Sequence, residues 1–115
     1  MQIMSQLTTH ILDTTKGKPA QGVTTVLYRG GNDTWTEIER GFTDIDGRVP
    51  DLLKKESLLQ HGIYKLRFET KDYFDKEAIP TFYPYVEIVF EITTDAHYHV
   101  PLLLNPFGYS TYRGS

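Results

Sequence analysis

Apolar and polar residues alternate through most of the chain, and this alternation predicts a series of short β-strands. Successive side chains of a strand point to opposite faces, so alternation marks strands that bury one face. Turn residues recur about every 8–12 residues, which favours an antiparallel β-sandwich. The predicted strands are Leu7 to Asp13, Gly22 to Arg29, Trp35 to Phe42, Gly62 to Glu69, Tyr83 to Ile92 and the two arms of a final hairpin, 97–104 and 109–115.

Turns and one helix are predicted between these strands. Thr70 to Ala78 is the best helix candidate, with Thr70 as its N-cap and Pro80 limiting its length. Leu52 to Gln60 has apolar spacing too sparse to separate a helical turn from irregular structure. The predicted turns are 14–20, 30–33, 44–47, 93–96 and 105–108.

Length and composition narrow the class of protein. The 115 residues predict one domain, 1–115, of a size that buries about two-thirds of the unfolded chain's surface. The sequence contains no cysteine, which excludes disulfides and thiolate metal sites. The net charge is −3 and the basic residues are dispersed, which argues against nucleic acid as a partner.

The sequence also predicts a protein without membrane segments. No apolar run approaches the ~20 residues that span a bilayer, and residues 1–6 show no signal peptide. The cytoplasm is therefore the expected compartment.

The final hairpin concentrates groups that can transfer protons. His97 and His99 share one face of its first arm, and Ser110, Tyr112 and Gly114 share one face of its second. If the arms pair, imidazoles, a phenol and a hydroxyl line one surface. The carboxylate of residue 115 is expected beside that surface. A purely structural hairpin does not require such a set.

Three blocks of the sequence form a family signature. They are Leu-Thr-Thr-His-Ile-Leu-Asp at 7–13 with Gly-Lys-Pro-Ala at 17–20, Thr-Asp-Ile-Asp-Gly-Arg at 43–48, and His-Tyr-His-Val-Pro-Leu-Leu-Leu at 97–104 with Tyr-Arg-Gly-Ser at 112–115. Together, and in this order, they resemble the transthyretin-related 5-hydroxyisourate hydrolases. The resemblance implies an all-β, transthyretin-like antiparallel sandwich of two four-stranded sheets with one short helix. It also implies a homotetramer, a dimer of dimers with its sites at the dimer–dimer interface.

The resemblance further implies an activity and a set of residues. The expected reaction is the hydrolytic opening of the 5-hydroxyisourate ring, without metal or cofactor. His10, Arg48 and His99 match the family's catalytic residues. His10, Arg48, Tyr112 and Ser115 match its substrate-binding residues. His97 is expected nearer the pocket mouth and outside the catalytic set.

Two other functions compete with this hypothesis. His97 and His99 have the spacing of a metal-binding pair, and His10 could be a third ligand. No carboxylate is obviously placed to support them, although the sequence leaves Asp13 and Asp95 open as partners. The second alternative is a non-catalytic carrier of a small aromatic ligand, as in the hormone-binding transthyretins. Those carriers lack the histidines and the Tyr-Arg-Gly-Ser ending, both of which this sequence contains.

Overall fold

The structure, a computed structural model, describes residues 5–115. The expectation that residues 1–6 hold no signal peptide falls largely outside this range. Within it, no helix is long and apolar enough to cross a bilayer. The described elements are β1 (Leu7–Asp13), β2 (Lys18–Pro19), β3 (Thr24–Gly31), β4 (Thr34–Phe42), β5 (Gly62–Phe68), α1 (Thr70–Asp75), β6 (Val86–Ile92), β7 (Tyr98–Asn105) and β8 (Gly108–Thr111).

The strands form two four-stranded sheets, in the orders β2-β1-β7-β8 and β4-β3-β5-β6. The predicted sandwich with one short helix is therefore confirmed. One pairing departs from the antiparallel pattern, because β1 runs parallel to β7. Alternation within a strand defines its faces and gives no information about the direction of its neighbour, so the sequence did not predict this pairing.

Apolar side chains from the two sheets meet in one core. Leu7 and Ile11 of β1 and Leu102 of β7 come from the first sheet, and Leu27 and Leu66 come from the second; all five are almost fully buried. In β1 the residues between these, such as Thr8 and His10, are only half-buried. The first sheet therefore presents its other face, with the polar residues of β1, away from the core.

The predicted final hairpin is confirmed, and the predicted turn at 30–33 forms a second hairpin. Asn32 and Asp33 join β3 to β4 with φ angles of 48° and 64°, the left-handed conformation that two-residue hairpin turns require. Pro106 and Phe107 join β7 to β8, which pair in an antiparallel ladder that includes Asn105 and Gly108. The second arm is shorter than the predicted 109–115, because β8 ends at Thr111. Each of these two predicted turns therefore contains the observed two-residue connection, with strand residues on one or both sides of it.

Several predicted boundaries are wrong by a few residues. The predicted turn 14–20 contains β2, a two-residue strand that pairs with β1. At residues 22 and 23 the backbone bonds to Thr43 instead of joining a ladder, so β3 begins at Thr24 and not at Gly22. β6 begins at Val86 and not at Tyr83. The segment before it contains Pro84, which has no amide hydrogen to donate to a ladder.

The helix is shorter than predicted, and its predicted cap is wrong. Glu69 occupies the N-cap position and makes no side-chain capping bond. Thr70 lies inside the first turn, where its hydroxyl is buried without a hydrogen-bond partner among the described residues. The helix ends at Asp75, and Ala78 then takes a positive φ of 55°. Leu52 to Gln60, left undecided by the sequence, is irregular.

Candidate active site

A tight turn places Arg48 beside His10. Asp44 organises the turn, since its carboxylate accepts the amide of Arg48 at 3.1 Å. The turn docks on β1 through a 2.9 Å bond from the amide of Ile11 to the carbonyl of Gly47. Gly47 has a φ of 76°, and a Cβ there would lie 2.5 Å from the carbonyl oxygen of Ile11, so glycine is needed for the contact. His10 and Arg48 then face each other in an antiparallel bridge.

His99 lies on the same face, one strand further across the sheet. The parallel register pairs Thr8 with His99, and the amide of Gly114 donates to the carbonyl of His99 at 2.8 Å. A Cβ on Gly114 would lie 2.5 Å from Cδ2 of His99. The glycine of the Tyr-Arg-Gly-Ser ending is therefore what allows this segment to lie against the imidazole.

The register of β7 and β8, continued beyond the end of β8, assigns Tyr112 to the same face. The pairing continues beyond Thr111, because His99 and Gly114 pair at the same offset. Tyr112 is thus placed opposite Pro101, which shares a face with His99. Its side chain is 59% exposed, as is expected for a residue beyond the end of its strand.

The segment 111–113 also borders a cavity of about 280 Å³ between β6 and the β7–β8 hairpin. Arg113 stacks over the buried ring of Tyr98, with 4.2 Å between the guanidinium carbon and the ring centroid. Ser115 follows Gly114 and is exposed. Among the hydrogen bonds of residues 5–115, none joins Tyr112 or the side chain of Ser115 to His10, Arg48 or His99. The structure thus brings His10, Arg48 and His99 closer together than it brings Tyr112 and Ser115 to them.

Thr8 links two of the histidines and was missed by the sequence analysis. Its hydroxyl oxygen lies 2.8 Å from Nδ1 of His99 and 3.2 Å from Nε2 of His97. The other ring nitrogen of His97, Nδ1, lies 2.7 Å from the carbonyl oxygen of Ser5. Alternation already put Thr8 on the face of His10, but only the parallel register shows that it reaches His99.

The site is rich in imidazole, and the carboxylate of Asp44 beside Arg48 accepts backbone amides of the turn. Within residues 5–115, no ion pair involves Arg48, His10, His97 or His99. The two acidic residues that the sequence left open as supporting partners are engaged elsewhere. Asp13 accepts the phenol of Tyr73, and Asp95 contacts His61. The carboxylate of Asp44 contacts the backbone amide of Arg48, and among the described residues no carboxylate pairs with its guanidinium. The guanidinium can therefore contact an anionic or carbonyl-bearing ligand.

The three-histidine metal site weighed from the sequence is not formed. In the part of the chain that the structure describes, no three His, Cys, Asp or Glu side chains are grouped so that they could hold one ion. His97 and His99 instead lie nearly parallel, with ring centroids 6.4 Å apart and planes inclined by 15°.

Burial lowers the pKa of His99, and the positive or polar groups of Arg48, His97 and His10 lower it further. An NMR titration of His99 should therefore give a pKa below the ordinary value of about 6.5. Between the two values the folded protein binds fewer protons than the unfolded chain. His99 thus makes the free energy of unfolding fall as the pH drops through that window.

Replacing Arg48 by glutamine removes one of these positive charges, so the pKa of His99 should rise in that variant. A His99 pKa at or above the ordinary value in the unmodified protein would contradict the burial argument.

The comparison with known proteins decides the family. Residues 7–114, nearly the whole chain, match the model of the HIUase/Transthyretin family. The chain belongs to this family. It is 48% identical to the 5-hydroxyisourate hydrolase of Mus musculus over 114 residues, which cover 96% of both chains. The predicted family membership is confirmed.

Solved structures of the HIUase/Transthyretin family share the fold. The Klebsiella pneumoniae 5-hydroxyisourate hydrolase superposes with a TM-score of 0.84 at 38% identity, over 97% of this chain and 94% of that one. Sea bream transthyretin, solved in complex with thyroxine, gives 0.88 at 33% identity, over 95% and 94%. Both branches of the family therefore share this architecture, and the fold alone does not separate enzyme from carrier.

Proposed function

We propose that this protein is a 5-hydroxyisourate hydrolase, which opens the ring of its substrate to give 2-oxo-4-hydroxy-4-carboxy-5-ureidoimidazoline. The observation that carries the proposal is the face on which His10 and Arg48 are bridged while His99 lies on the adjacent strand. Its support is the 48% identity to the mouse protein of that name. Three groups suited to proton transfer and anion binding would be unexplained in a carrier.

The reaction is the hydrolysis of a cyclic amide. His10 or His99, as the neutral imidazole, takes a proton from a water molecule whose oxygen bonds to the ring carbonyl carbon. The carbon–nitrogen bond then breaks, the ring nitrogen receives a proton, and the carbon becomes a carboxyl group. The substrate supplies the bond to be cleaved and water supplies the nucleophile, so the proposed step balances without a cofactor or metal.

Arg48 is suited to hold the substrate and the developing oxyanion. Its planar guanidinium presents several N–H donors in one plane, which matches a flat, carbonyl-rich ring. Stabilisation of charge that develops in the transition state is commonly the largest contribution to such reactions. Tyr112 and Ser115 are proposed to complete the substrate contacts.

The site is proposed to be completed by a second copy of the chain. His10 and His99 lie half-buried on an open sheet face, and Arg48 is exposed, whereas amide hydrolysis benefits from a site that restricts water. We therefore propose that residues 1–115 form one domain that assembles into a homotetramer, with the sites at the dimer–dimer interface. Sedimentation equilibrium tests the assembly, and a monomer at assay concentrations would contradict it.

We also propose that the enzyme acts in the cytoplasm. The sequence contains no cysteine, so the fold is compatible with a reducing compartment. Cell fractionation followed by immunodetection tests this, and recovery outside the cytoplasm would contradict it.

The activity test follows the ultraviolet absorbance of freshly generated 5-hydroxyisourate. The protein should accelerate its decay, and His10→Asn and Arg48→Gln should each abolish most of the acceleration. His61→Asn is the matched control, because His61 is an exposed histidine paired with Asp95 and should be replaceable without effect. No acceleration by the folded protein would favour the carrier, to be examined with thyroxine as the probe.

A further inference from the structure

We infer that Thr8 and His97 fix the tautomer of His99, leaving its Nε2 unprotonated as the general base. The catalytic part of this inference rests on the proposed hydrolase function, whereas the tautomer itself does not. The assignment goes beyond the choice between His10 and His99 that the reaction leaves open. Thr8 and His97 act here as positioning residues, because they reach the substrate only through His99.

The direction of each hydrogen bond follows from one fixed acceptor. The carbonyl oxygen of Ser5 can only accept, so the Nδ1 of His97, 2.7 Å away, must carry the hydrogen. In the neutral imidazole the Nε2 of His97 then has a lone pair. The hydroxyl of Thr8, 3.2 Å away, donates to it.

The hydroxyl of Thr8 has only one hydrogen, and this hydrogen is directed to His97. Its oxygen can therefore only accept from the Nδ1 of His99, at 2.8 Å. In neutral His99 the hydrogen is thus on Nδ1 and the lone pair is on Nε2. Which nitrogen of a histidine is protonated is set by the hydrogen bond that the other nitrogen makes.

The start of this chain of bonds is held in place by the fold. The hydroxyl of Ser5 donates to the carbonyl of Leu53 at 2.7 Å. Next to Ser5, the carbonyl of Gln6 accepts the amide of Tyr98 at 2.6 Å, and its side chain accepts the amide of Leu59 at 2.8 Å. The carbonyl of Ser5, which sets the direction of the hydrogen bonds, is therefore held by contacts with the segment 53–59 and with Tyr98.

The surroundings of His99 favour the same state. Burial and the neighbouring Arg48, His97 and His10 lower its pKa, which favours the neutral imidazole. A neutral imidazole with a free Nε2 can accept a proton from water at that atom, whereas one protonated at Nε2 has its lone pair on Nδ1, which faces Thr8. His10 is then left to return the proton to the leaving nitrogen.

The test reads the tautomer directly and without substrate. Long-range ¹H–¹⁵N NMR at pH 8 should show His99 protonated at Nδ1 only, with its signals identified by their loss in His99→Asn. Thr8→Val removes the hydroxyl at nearly constant shape, so His99 should lose its single tautomer and kcat should fall by roughly 10- to 100-fold, part of what a general base contributes. Thr8→Ser keeps the hydroxyl and should therefore retain both the single tautomer of His99 and the kcat of the unmodified protein.

His97→Phe provides a second, independent readout. Without an acceptor at residue 97, the hydroxyl of Thr8 is free to donate to His99, which should shift His99 towards protonation at Nε2. Thr9→Val is the matched control, because Thr9 points to the opposite face and bonds the carbonyl of Val100. It should destabilise the fold and leave the His99 tautomer unchanged.

The outcomes separate this inference from the proposed function. His99 protonated at Nε2 in the unmodified protein, or full kcat in Thr8→Val, would overturn the inference. If His99 shows the expected tautomer but the protein does not accelerate 5-hydroxyisourate decay, the proposed function is overturned. The role of His99 as a base then falls as well, whereas the tautomer assignment stands.

Discussion

Replacing His99 by asparagine is expected to lower kcat for 5-hydroxyisourate by about 10²- to 10⁴-fold, the usual contribution of a general base. Asparagine keeps a polar side chain of similar reach but has no nitrogen that accepts a proton near neutral pH. The fold should survive, because among the described residues the ring of His99 makes one hydrogen bond, to Thr8. Initial rates over a pH series provide the measurement.

The pH series also identifies the group. In the unmodified protein kcat/KM should decrease at acid pH, and the midpoint of this decrease should lie below the ordinary pKa of histidine. The reason is that burial and neighbouring charges lower the pKa of His99. This decrease should disappear from the residual activity of His99→Asn. Sedimentation of the variant should match that of the unmodified protein. Full activity in a correctly assembled variant would remove His99 from the mechanism.

Replacing Arg48 by lysine should lower kcat/KM by about 10²- to 10³-fold, as the loss of an oxyanion donor does. Lysine keeps the positive charge but not the planar set of donors. The turn itself should persist, since residue 48 is bound to Asp44 through its backbone amide and carbonyl. Comparison with Arg48→Gln separates the loss of geometry from the loss of charge.

The matched control is Arg40→Lys. Arg40 is an exposed arginine that pairs with Glu37. It lies on β4, in the sheet that does not contain the histidine strands β1 and β7, so its replacement should leave kcat/KM unchanged. Near-normal kinetics in Arg48→Lys would show that charge alone is required. Near-normal kinetics in Arg48→Gln as well would exclude Arg48 from substrate binding.

The sequence predicted the fold well where local chemistry decides it. Asn32 and Asp33 turn the chain because these residues tolerate a positive φ, and the alternation on either side defines the two strands. The prediction from sequence failed where contacts between distant segments decide the local structure. Lys18–Pro19 forms a strand only because β1 is beside it, and Thr70 is drawn into the core instead of capping the helix.

The candidate site was predicted in part for the same reason. His10, Arg48 and His99 were proposed from their sequence blocks; the structure bridges His10 to Arg48 and places His99 on the adjacent strand. Thr8 carried no such signal, since a threonine on a strand is ordinary. Its meaning depends on the register between two strands far apart in sequence, which no local pattern contains.

The parallel pairing of β1 with β7 has a consequence for how the protein is made. Thr8 and His99, which touch in the finished sheet, are 91 residues apart along the chain. A growing chain on the ribosome displays His10 and then Arg48 long before the strand with His99 exists. Contacts between such distant residues also form slowly, because a long loop must close before they contribute. The face that carries His10, Arg48 and His99 is therefore incomplete until residue 99 has been made, and a shorter chain does not possess it.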